Sequence, residues 1–98
     1  MISLAKIRAV AAKVWDHVAE GIESSADVAF LEALASADAR WHSELRAANV
    51  MYGGGSETWH AVKRLATRQQ EAEYRAAYKT LEAADDAEFE NLIQDAAE

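Results

Sequence analysis

Cysteine and proline are both missing from this chain, and glycine occurs only four times. Without cysteine there is no disulfide, no thiolate nucleophile and no cysteine-ligated metal. Without proline, glycine is the strongest punctuation left. No run is long and apolar enough to span a bilayer, and the N-terminus lacks a charged-then-apolar signal pattern. A cytoplasmic protein without membrane contact is therefore expected. Basic charge is also scarce: ten Lys and Arg face seventeen Asp and Glu, a net charge of −7. Phosphate contacts need a basic surface, so direct nucleic-acid binding is not expected.

Much of the 51% apolar content is alanine. Alanine favours helix strongly and fills a core poorly. A chain of 98 residues makes one domain and buries a modest fraction of its surface. Such a chain must pack its helices closely or bury apolar surface against a partner, and a second copy is the simplest partner.

Three of the four glycines fall in Met51-Tyr52-Gly53-Gly54-Gly55-Ser56-Glu57-Thr58, where helix-forming sequence stops outright. This Gly-rich joint, 51–58, divides the single domain 1–98. A helical hairpin, 3–50, precedes it. A long helix, 57–83, and a short acidic helix, 86–97, follow it. Gly53 suits a helix C-cap and Ser56 an N-cap. Gly54 and Gly55 have no evident task beyond flexibility or close backbone approach. A phosphate loop is disfavoured, since no Lys-Ser/Thr pair and no preceding strand accompany the glycines. The string Gly-Gly-Gly-Ser also has the composition of an engineered linker.

In the first segment, Leu4, Ile7, Ala11, Val14 and Val18 recur at helical spacing, widened by Val10 and Trp15. Ser3 is the expected N-cap. Gly21 is the expected C-terminal stop, with Ile22 folding back. Ser24 and Asp27 form an Asp variant of the capping box for the second helix. The second helix places Val28, Leu31, Leu34, Ala35, Trp41, Leu45 and Ala48 on one stripe. Asp38 interrupts that stripe. It either reaches water at the stripe's edge or marks a function. The third helix begins its apolar face with Trp59, Val62, Leu65 and Ala66. Ala72, Tyr74, Ala76, Ala77, Tyr78 and Leu81 continue it. Its polar middle, Thr67 to Glu71, argues against a central core position. Lys63, Arg64 and Arg68 cluster in its first half, the unfavourable end for the helix dipole. Asp85 and Glu88 could cap a last helix carrying Phe89, Leu92, Ile93 and Ala96. The six acidic groups of 85–98 have no basic companion.

Each histidine has a tryptophan near it: His17 with Trp15, His42 with Trp41, His60 with Trp59. A shared metal or haem site is the chemistry this invites, with Asp38, one turn from His42, as a fourth candidate ligand. Simple up-down geometry separates them. His42 lies about 16 Å from the level of His17, and His60 about 10 Å from that of His42. The one Glu-x-x-His, Glu57 to His60, lacks the second copy that di-metal bundles need. Ser43 sits beside His42 and Glu44 without a strained elbow, so no nucleophile is evident. Catalysis has no support, and no cofactor is expected.

The predicted fold is all-α, an antiparallel bundle of three to four helices completed by homo-oligomerisation. The expected function is a small acidic interaction or adaptor module that docks a protein partner or a second copy. Trp59, Lys63, Arg64 and Arg68 are the candidate contacts on one side, and Asp85, Asp86, Glu88 and Glu90 on the other. One alternative is a phage-type inhibitor or decoy whose acidic end helix mimics nucleic acid. Another is a natural or engineered bundle that binds metal or haem through its histidines.

Overall fold

A computed structural model describes residues 2–21 and 25–84. They form three helices and, among the described residues, no strand: α1 (Leu4–Ala19), α2 (Ser25–Tyr52) and α3 (Glu57–Ala84). The expected capping by Ser24, the fold-back of Ile22 and the whole acidic helix 86–97 lie outside these residues.

Local chemistry sets the helix ends. The Ser3 hydroxyl accepts from the Lys6 amide at 3.2 Å, as its N-cap role requires. Gly21, at φ 80°, ends α1 and donates to the Val18 carbonyl at 3.0 Å. The second helix runs two residues past the expected Val50, because Gly53 is the first residue to turn left-handed, at φ 82°. Its amide donates to the Asn49 carbonyl at 3.0 Å. Ser56 then caps α3, accepting from the Trp59 amide at 3.1 Å and donating to the Gly53 carbonyl at 2.9 Å.

The two central glycines of the joint also acquire tasks. Gly55 has φ 86°, a conformation that side chains resist. Gly54 lies so close to Asn49 that a Cβ there would stand 2.5 Å from its Oδ1. The joint is thus a tight reversal that brings α3 back along α2.

The reversal is antiparallel: Asp38 meets Tyr74 and Trp41 meets Thr67, so partners descend α3 as α2 ascends. At 28 residues each, α2 and α3 measure about 42 Å, whereas the 16 residues of α1 measure about 24 Å. The short helix therefore covers only part of the hairpin. It packs at the end remote from the joint, called proximal below. There Ile7, Val10 and Val14 are fully buried against Phe30, Leu34, Ala37, Tyr74, Ala77, Tyr78 and Leu81. Arg8 sits over the Tyr74 ring at 5.8 Å, and the Arg75 Nε donates to the Ile2 carbonyl at 3.3 Å.

Several expected positions shift. Trp15 is 63% exposed and does not widen the core stripe. Phe30 and Ala37 are buried while Ala35 is exposed, because α2 packs on two neighbours and its buried surface is broader than one stripe. The expectation that the third helix stays out of the core is corrected. The second half of α3 supplies Tyr74, Tyr78 and Leu81 to the core, and only its first half lacks buried bulk.

Candidate functional site

Two different surfaces arise where α2 meets α3. The first is a polar seam in the middle of the hairpin. Asp38 Oδ1 accepts from the Tyr74 hydroxyl at 2.6 Å and from Gln70 Nε2 at 2.8 Å. Trp41 Nε1 donates to Thr67 Oγ1 at 3.0 Å. Burial, then the hydrogen bond to Asp38 and its charge, push the Tyr74 hydroxyl up to about 12, while Arg8 pulls the other way. Burial foremost, and then Glu82, raise Tyr78 as well. Both hydroxyls therefore stay protonated well into alkaline solution. Asp38 thus does not reach out to water alone. It holds two donors from α3, and these directional bonds fix the register of the hairpin.

The second surface is a face of the hairpin that α1 leaves uncovered. It carries two shallow apolar depressions, neither of them lined by α1. The proximal one, about 120 Å³, is formed by Ala26, Ala29, Phe30, Ala33, Ala77, Thr80 and Leu81. The distal one, about 320 Å³, is formed by Glu44, Ala47, Ala48, Met51, Tyr52, Val62, Leu65, Ala66 and Gln69. Thr80 turns its hydroxyl back to the Ala76 carbonyl at 3.1 Å, so it makes no polar demand on the depression it lines. On α3, Thr80 stands about 140° round the helix from Arg75, which touches α1. Between the depressions lies the Arg40–Glu73 ion pair, joined by Gln69 Nε2, which donates to Glu73 at 3.3 Å.

Large apolar side chains stand exposed at the distal end, and two of them, Met51 and Leu65, line the depression. Val50 is 80% exposed, Met51 69% and Leu65 64%. Burying a side chain of this size is worth about 1.5–3 kcal/mol, so leaving three in water on one small end is unfavourable. The sequence carried a signal for this: Val50-Met51-Tyr52 puts three large apolar residues in a row at the end of a helix. Those positions, with Ala47, Val62 and Leu65, are the residues that pattern reading did not single out as a site.

The candidate contacts fall around this distal end. Trp59 is half-buried, with Lys63 Nζ over its ring at 5.3 Å. Arg64 and Arg68 are exposed further along α3. Asp85, Asp86, Glu88 and Glu90 lie outside the described residues. Two of the histidines meet their neighbouring tryptophans. His42 meets Trp41 edge-on at 4.9 Å, and His60 meets Trp59 at 5.0 Å. His17 has a buried Nδ1 with no hydrogen-bond partner among the described residues. Among the described residues, no three His, Asp or Glu side chains group to hold a metal ion. No helix among them is long and apolar enough to cross a membrane. No protein-family model matches the chain, and neither a curated protein nor a solved structure does so.

Proposed function

We propose that this protein is a small docking module, with a proximal end that holds the fold and a distal end that binds another protein surface. The observation that supports this is the exposure of Met51, Tyr52 and Leu65, which line an apolar depression. Contiguous exposed apolar surface on a small domain marks an interaction site far more often than scattered single residues do. The surroundings suit such a site. Glu44 and Gln69 give the depression a polar edge, and Tyr52, 48% exposed, supplies an aromatic side chain of the kind that dominates interface energetics. Docking helix on helix through small residues also suits alanines such as Ala47, which let backbones approach closely.

The other readings have less to stand on. A nucleic-acid mimic would draw on residues 85–98, which are outside the described residues. Histidine ligation would draw on three residues that form no ligand group among the described residues.

A photoreactive residue at position 65 tests the docking reading. It should yield one discrete protein adduct, and adding Met51→Glu should abolish that adduct. The same probe at exposed Ala12 of α1 should yield none. Equal labelling from positions 65 and 12, or an adduct indifferent to Met51→Glu, would refute it.

A further inference from the structure

Resting on that docking reading, we propose that the surface which covers the uncovered face is a second copy of this chain, with a two-fold axis passing beside Arg40 and Glu73. The face has the internal symmetry that a self-complementary contact needs. Ala33 of the proximal depression and Ala47 of the distal one lie seven residues on either side of Arg40. Ala77 and Gln69 lie four residues on either side of Glu73. A two-fold axis at that midpoint lays apolar surface on apolar surface at both ends. It also brings two Arg40–Glu73 pairs together as a neutral cluster of two cations and two anions. Both side chains retain exposed surface in the single chain, at 48% and 29%, so all four groups can share the axis, each Arg40 meeting the other copy's Glu73 on the diagonal.

Size favours a second copy. Two helices about 42 Å long, packed about 10 Å apart, present a face of about 800 Å². That is close to the ~800 Å² each partner contributes to a standard stable interface.

The experiment is sedimentation equilibrium of the full chain with two charge variants. Wild type should show twice the 10.7 kDa chain mass at micromolar concentration. Arg40→Glu places four acidic groups at the axis and Glu73→Arg places four basic ones. Each variant alone should dissociate at least tenfold more readily, with helicity unchanged. Mixed one to one, they should recover a dimer at least as strong as wild type, because every cross-axis contact then joins opposite charges. Leu65→Glu should dissociate the dimer without such rescue. A mixture no stronger than its components would overturn the proposal, as would a wild-type mass of 10.7 kDa at millimolar concentration. In that second event, peroxide oxidation of Met51 separates the two claims. Fast oxidation leaves the docking face open and refutes only the second copy. Slow oxidation in a monomer means the chain covers its own face, and the docking reading falls too.

Discussion

At the proximal end, three helices enclose Ile7, Val10 and Val14 with no exposed surface at all. At the distal end, the same two long helices run on as a bare pair, and residues as large as Leu65 and Met51 stand in water. The same helix type, in the same antiparallel pairing, gives a closed core at one end and an open face at the other. The difference is the reach of α1, about 24 Å against about 42 Å. Where α1 stops, the hairpin has apolar surface that no other described residue covers. Helix formation and helix pairing are thus separable from core completion, and only the proximal end completes its core within the described residues.

Substitutions at matched chemistry should break this comparison most sharply. Ile7→Ala should destabilise the fold by about 2–5 kcal/mol, since it leaves a cavity where no solvent enters. Leu65→Ala should change the stability of the dilute protein by less than about 0.5 kcal/mol. Urea unfolding of both variants gives the test, and equal losses would erase the distinction between the ends. Tyr74→Phe comes next. Asp38 would keep Gln70 but lose its phenol donor, and a hydrogen bond to a charged group is worth about 1.5–3 kcal/mol.

The same tyrosine predicts a pH response. Its hydroxyl titrates near about 12 in the folded chain and near 10.0 when unfolded. Between those values the unfolded chain loses its proton first, so stability falls as pH rises through that window. Below pH 10 the contribution is fully present. In Tyr74→Phe the slope should become shallower without vanishing, because Tyr78 is raised too. Thermal melts from pH 9 to pH 12 would record it, and an unchanged slope would remove Tyr74 from the account.

The joint gives smaller effects. Gly55→Ala should destabilise by about 1–2 kcal/mol, because an alanine at φ 86° is strained. Gly54→Ala should be milder, since the Asn49 amide it would meet is the mobile end of a side chain. Thermal melts of the two variants compare them, and the reverse order would mean that close approach governs this turn. Smallest of all is the Arg40–Glu73 pair within one chain. An exposed ion pair is worth about 0–1 kcal/mol, so either charge reversal should barely move the dilute melting temperature.

The three described helices and the caps at Ser3, Gly21, Gly53 and Ser56 were legible in the sequence because each depends on neighbours a few residues away. Ser3, Gly21, Gly53 and Ser56 all serve the ends assigned to them. Gly54 and Gly55 were not interpretable, since a positive φ and an approach to Asn49 are features of a closed turn. Asp38 was legible as an anomaly but not as a register pin, because its donors come from 32 and 36 residues away. The burial pattern of α2 was read one face too narrow for the same reason: two neighbours, not one, bury it. The apolar distal face lay in plain view as Val50-Met51-Tyr52, yet a run of apolar residues cannot by itself say which of them the fold leaves outside.

Amide hydrogen exchange, followed over a wide range of protein concentration, tests the division between the two ends most directly. In dilute solution, distal amides of α2 from 41 to 52 and of α3 from 59 to 66 should open more readily than the proximal ones. As concentration rises, distal protection should climb while proximal protection, already near the global limit, stays put. Equal protection of both ends at every concentration would contradict the account.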